Sequence, residues 1–314
     1  METLLLVLAQ AVVGILLAPL LLGITKKVKA RLQYRRGASV WQPYRDLAKW
    51  WSKSPVESDT ASPLTAAVPA IVLGTMVLTV FLVPLVARSV ALPPAGDVLV
   101  VIGLLALVRF ALALGALDAG GAFGGMGASR EVAIASLVEP GLMLAVAVGI
   151  AAAGTTDLGA IAASGALLGG AGTTPALALG AAAFAIVAVA ETGHEPVDNP
   201  DTHLELTMIH EGMILEASGR RLAALMLASE LKLVVVVGLF SAVFLPIGMA
   251  RELTPTALAV GMAAAAAKLV IAAAALAILD ASLAKLRIMA LPSLLGVASI
   301  LGITALAAQL WLTA

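Results

Sequence analysis

Apolar residues in this chain gather into long unbroken runs instead of alternating with polar ones. Runs near 3–24, 66–87, 98–117, 131–154, 174–192, 223–247, 255–279 and 288–312 match the length of about 20 residues that a helix needs to cross a bilayer core. The pattern predicts an all-α polytopic protein with about eight transmembrane helices, forming a single membrane domain over 1–314. The stretch 158–172 (LGAIAASGALLGGAG) is apolar but short and rich in glycine, so a re-entrant or interfacial segment is expected there. The first run, Leu4 to Gly23, has Glu2 before it and a basic block after it. A cleaved signal peptide carries its charge the other way round, so a retained helix is expected.

Composition supports this reading. Hydrophobic residues make up 61% of the chain and charged residues only 12%, against about 25% charged in ordinary soluble domains. Nineteen basic and nineteen acidic residues cancel, which leaves no overall field to attract nucleic acid. The absence of cysteine excludes disulfides, thiol catalysis and thiolate-held iron–sulfur clusters from the chain itself.

Basic residues alternate between the connections. The first connection holds Lys26, Lys27, Lys29, Arg31, Arg35, Arg36, Arg45, Lys49 and Lys53, and every second one thereafter adds Arg130, Arg220 with Arg221, and Lys285 with Arg287. The intervening connections carry only Arg88 and Arg251. By the positive-inside rule this predicts both termini outside and the basic connections in the cytoplasm. Two of those connections, 25–65 and 191–222, are too long to be simple turns. The tryptophans and arginines of the first suit a helix at headgroup level, or a simple topology anchor.

Charge inside a bilayer costs roughly 2.5–3.5 kcal/mol per residue on insertion scales, yet this chain places it there repeatedly. Arg109, Glu131, Glu139, Glu230, Lys232 and Lys268 fall within spans, while Glu191 and Asp280 close them. A hydrated ionisable path would need such groups. Structural ion pairs between helices, for instance Glu139 or Glu230 with Arg109 or Lys268, are the plainer alternative.

The connection after the fifth span is dense in acids: Glu191, Glu195, Asp198, Asp201, Glu205, Glu211 and Glu216, with all three histidines. Asn199 and Pro200 suit a helix start, and Gly219 suits its end near Ser218. On such a helix Asp201, Glu205 and Glu216 would share one face within about 60°, interleaved with Leu204, Met208 and Leu215. Acids mixed with apolar residues point into an enclosed cavity rather than to solvent. The seven-residue spacing of His203 and His210 is not that of a helical metal pair, so no metal site is expected.

This connection resembles the family of subunit 1 of respiratory complex I, whose loop reads roughly E-T-x-x-x-P-x-D-x-P-E-x-x-x-E-L followed by E-[YA]-S-G. The matching residues are Glu191-Thr192, Pro196, Asp198, Pro200, Asp201, Glu205-Leu206 and Glu216-Ala217-Ser218-Gly219. Arg31-Leu32-Gln33, Arg36-Gly37, Gln42-Pro43, Asp46 and Ser129-Arg130-Glu131 also look like that family. The run Thr202 to Met208 with His210-Glu211 is similar to its branch in membrane-bound nickel–iron hydrogenases, such as formate hydrogenlyase subunit 4 and hydrogenase-4 component C. Ala38-Ser39-Val40 departs from the G-P-N-R-V-G of quinone-reducing members.

The resemblance implies a prokaryotic inner-membrane subunit that holds no cofactor and takes no part in bond chemistry. Its partners would be hydrogenase large and small subunits carrying the nickel–iron centre, an iron–sulfur subunit and antiporter-like membrane subunits. Arg31, Arg35, Arg36, Arg45 and Asp46 would face the peripheral module. The acids of 191–216, with Glu131, Glu139, Glu230, Arg109, Lys232, Lys268 and Asp280, would couple its chemistry to proton or sodium movement. A quinone-site subunit and a self-sufficient secondary transporter are the alternatives.

Overall fold

The computed structural model describes residues 2–56, 58, 61–88, 96–164, 175–199 and 208–313. Among them, seven helices are long and apolar enough to span a membrane: α1 (Glu2–Leu32), α3 (Pro63–Leu82), α4 (Val98–Asp118), α5 (Ala122–Ala153), α9 (Gly219–Val243), α10 (Pro255–Ser282) and α11 (Leu291–Thr313, preceded by the single 3-10 turn Ile288–Ala290). An eighth apolar helix, α7 (Pro175–Glu191), has 17 residues and is about 26 Å long at 1.5 Å per residue. Short helices α2 (Gln42–Trp51), α6 (Leu158–Ser164) and α8 (His210–Ile214) complete the fold. Among the described residues there is no sheet, only isolated bridges between Ala87 and Ala250 and between Asp97 and Asp157.

The expected spans are found, with local shifts that follow from backbone chemistry. The second, expected at 66–87, ends at Leu82. Pro84, which cannot donate to a helix, lies just beyond, and the chain turns extended from Val83. The buried Gln10 side-chain oxygen of α1 accepts the freed Leu85 and Val86 amides at 3.3 and 3.4 Å. The fourth span, expected at 131–154, begins at Ala122, so Ser129, Arg130 and Glu131 lie inside helix α5 and not in a connection. Of 158–172, residues 158–164 form α6 and the rest lies outside the described residues.

Packing divides the bundle into two ends. α11 lies against α5 and α7, α3 against α4 and α9, and α1 against α10 and α9. At one end Asp118, closing α4, accepts the Ser62 and Thr65 hydroxyls at 2.8 and 2.6 Å, which clamps the start of α3. The same end holds α2, which packs on α9 and α1, and the Ser218 hydroxyl, which receives the Val56 amide at 2.7 Å. At the other end, segment 83–88 meets residues 246–250 through the Ala87–Ala250 bridge.

The acidic connection folds differently from the expected long helix. Residues 200–207 lie outside the described residues, and beyond them only His210–Ile214 is helical. Gly219 does not end that helix; it starts α9 with φ +54°. A Cβ there would lie 2.6 Å from the carbonyls of Lys53 and Ser54. The first long connection therefore docks directly on the second, and only glycine leaves room for it.

Candidate functional site

Glu191, the last residue of α7, sits where α4, α7 and α9 meet. Its carboxylate is buried and accepts a hydrogen bond from Arg109 Nη2 of α4. The Lys232 ammonium of α9 stands 3.7 Å from its other oxygen. Arg109 also reaches Glu139 on α5, at 3.3 Å. These four side chains form one chain of alternating charge across four helices, the arrangement that makes burial of each charge tolerable. The Arg109–Glu139 pair named under the plainer alternative of structural ion pairs is present.

Glu191 also forms part of the wall of a cavity of about 170 Å³ lined by α1, α5, α7, α8, α9 and the segment after α7. Five acids line it (Glu131, Glu191, Asp198, Glu211 and Glu230), together with Lys26, Lys232, His194 and His210. Glu230 is buried on α9, and its Oε2 has no hydrogen-bond partner. A separate void of about 10 Å³ between Arg109, Glu131, His210 and Lys232 lies beside this cavity, toward α4, and shares Glu131, His210 and Lys232 with its wall. That is roughly the room one water needs.

The segment 192–199 is held over the cavity by paired acids. Asp198 accepts Lys285 Nζ at 2.6 Å and the His210 amide at 3.2 Å. Asp280, at the end of α10, faces His194 Nδ1 at 2.9 Å and accepts the Glu195 amide at 3.1 Å. Arg130 donates to the Met208 carbonyl at 3.0 Å, fixing α5 to the chain entering α8. Burial, then the nearby Lys232 charge, lowers the His210 pKa from 6.5 to about 4, with Asp198 opposing the shift. His210 is therefore neutral at neutral pH.

Not every expected site residue comes here. Asp201 and Glu205 lie outside the described residues. Glu216 does not line this cavity: it is exposed, beside Gly121 and at the wall of a separate void of about 40 Å³, because the chain leaves helical geometry after Ile214. Lys268 sits elsewhere, donating to the Ser241 hydroxyl and the Leu245 carbonyl at 2.6 and 2.7 Å, near the opposite end of α9. Neither Glu139 nor Glu230 meets it. Arg31, Arg35, Arg36 and Arg45 are exposed at the end that carries the cavity, and Asp46 accepts Gln42 Nε2 at 3.0 Å.

Lys26, His194 and Lys285 join the site without having been expected there. Lys285 looks like a topology signal in the sequence, and no local pattern connects it to Asp198. Among the described residues no three His, Asp or Glu side chains converge as a metal ion would need. The arrangement can hold and relay protons or cations along paired charges.

The chain matches the family model described as NADH dehydrogenase over residues 4–312. It is 35% identical to hydrogenase-4 component C of Escherichia coli K12 over 278 residues, covering 88% of this chain and 87% of that one. It is likewise 35% identical to formate hydrogenlyase subunit 4 of the same organism over 282 residues, covering 90% of each. Its fold matches a chain of the membrane-bound sulfane sulfur reductase, an archaeal respiratory membrane complex, with a TM-score of 0.78 at 24% identity, covering 97% of this chain and 98% of that one. The charged cavity thus belongs to a multi-pass membrane protein of the NADH dehydrogenase family, to which this chain belongs along nearly its whole length.

Proposed function

We propose that the chain is the membrane-anchoring and ion-coupling subunit of a formate hydrogenlyase-like, membrane-bound nickel–iron hydrogenase complex of a prokaryotic inner membrane. The observation that carries this reading is Glu191, ion-paired to Arg109 and Lys232 at the wall of a cavity lined by four further acids. Redox chemistry in a module docked above that cavity changes local charge. The alternating chain Lys232–Glu191–Arg109–Glu139 passes the change into the bilayer as a rearrangement of ion pairs. A switch of this kind needs two states that the redox event favours unequally.

Similarity to the two Escherichia coli subunits supports the hydrogenase branch. The lack of cysteine fits electron carriers housed in partners: a large and a small hydrogenase subunit and an iron–sulfur subunit. Antiporter-like membrane subunits would flank the bundle and carry the ion. Exposed Arg31, Arg35, Arg36 and Arg45 suit a docking face for the peripheral module, on the cytoplasmic side, with both termini outside. A quinone-site role fits less well, because the cavity is charged and smaller than the about 300–1,000 Å³ usual for organic ligands.

The test is purification through a tag on this chain from its own membrane. The expected result is recovery with a large subunit bearing two CxxC pairs and with hydrogen evolution from reduced viologen. Recovery alone, with ion transport in vesicles, would instead support a self-sufficient transporter.

A further inference from the structure

Arg88 and Arg251 are the only basic residues in the connections at the end of the bundle away from the acidic cavity. The fold brings them together. The Ala87–Ala250 bridge aligns the two segments, with the Ala250 amide donating to the Val86 carbonyl at 2.9 Å and the Arg88 amide to the Ala250 carbonyl at 3.1 Å. Both side chains then line one open groove of about 530 Å³, within the size range of ligand sites.

The charge in this groove is uncompensated. No acid lines it among the described residues; Glu252 follows Arg251 but does not form part of the wall. Arg88 donates to the Pro246 carbonyl at 2.9 Å, while its Nε is buried without a partner. Its pKa is lowered by burial and then by the Arg251 charge, so the two guanidinium groups repel. Placing two cations side by side is unfavourable unless an anion joins them. Apart from Thr256 the remaining side chains of the wall are apolar (Ile247, Met249 and Val260 the largest), and Ile247 and Val260 are exposed at the rim where α10 begins. A basic head above an apolar flank matches a phosphate joined to hydrocarbon.

We propose that this groove binds the phosphate headgroup of an anionic phospholipid, with Arg88 and Arg251 as its ligands and an acyl chain along Val260 and Ile247. The lipid neutralises the arginine pair and ties segment 83–88 to the start of α10.

The assembled complex in mild detergent is labelled with a diazirine-bearing phosphatidylglycerol, and cross-links are mapped to peptides. Label is expected on 246–260, falling at least about fivefold in Arg251→Glu, since one arginine near a membrane surface contributes about 1 kcal/mol. Arg251 is exposed, so this variant should fold; Arg88→Gln adds a second test. Label on the basic 25–65 connection should stay unchanged in Arg251→Glu and fall in Arg36→Glu. Equal labelling of 246–260 by a phosphatidylethanolamine probe, or undiminished labelling in Arg251→Glu, would overturn the proposal. Complete displacement by excess inorganic phosphate would overturn the lipid assignment in favour of a free anion.

Discussion

Arg109, in the interior of α4, donates to Glu191 at the end of α7. The pair joins two helices far apart in sequence and draws in Lys232 and Glu139. Both partners are buried, so removing Arg109 leaves Glu191 only the Lys232 ammonium at 3.7 Å, and removing Glu191 leaves Arg109 only the part-exposed Glu139 at 3.3 Å.

Arg109→Met is therefore expected to destabilise the bundle by about 3–5 kcal/mol. Arg109→Met combined with Glu191→Gln should cost less than the two single changes together, by about 0.5–3 kcal/mol. Thermal unfolding of the detergent-purified assembly measures both. Additive losses would show that the two residues do not act as a pair.

Asp198 joins Lys285, between α10 and α11, to the amide that opens α8. Lys285→Met should release the segment after α7 without disturbing the spans. Amide exchange across 192–199 is expected to speed up, while exchange in α4 and α9 stays slow.

His210 supplies a pH dependence. Its folded pKa of about 4 lies below the ordinary 6.5, so the unfolded chain binds the proton more readily. Its contribution to stability is complete above about pH 6.5 and is lost as pH falls toward 4. The melting temperature of the parent protein should fall across that window more steeply than that of His210→Gln, which lacks this titration. Parallel curves would exclude His210 as a source of the slope.

Gly219 and Gly127 mark close approaches. Gly219→Ala would drive a Cβ to 2.6 Å from two carbonyls at a positive φ, and Gly127→Ala would place one 2.7 Å from the Ile209 carbonyl. Both changes are expected to lower the amount of assembled complex. Gly219→Ala acts by detaching residues 53–56 from α9, and protease cleavage near Ser54 should rise in that variant alone.

Much of the bundle was legible because a membrane span is a local property: about 20 apolar residues announce it. Arg109, Glu139, Glu191 and Glu230 were legible because charge inside such runs is costly and rare. Their pairing was not. Whether Arg109 meets Glu191 or Lys268 meets Glu230 depends on which helix faces pack together, and that is set by the whole bundle. Lys285 and Lys26 were hidden among residues that also serve the positive-inside rule. Glu216 was misplaced because helical periodicity was carried past Ile214, where docking of 53–56 on Ser218 and Gly219 competes with a continued helix.

Coupling can be measured in sealed vesicles carrying the whole complex, with hydrogen evolution and ion uptake followed together, comparing the parent with Glu230→Gln. Glu230 is buried in the cavity with a free carboxylate oxygen, and the amide preserves its shape. Hydrogen should still evolve from reduced viologen, while ion uptake per hydrogen falls by about 10²-fold or more, within the about 10²–10⁴-fold that positioned proton-transfer groups supply. An unchanged ratio of ion uptake to hydrogen in Glu230→Gln and likewise in Glu191→Gln would contradict a coupling role for the cavity.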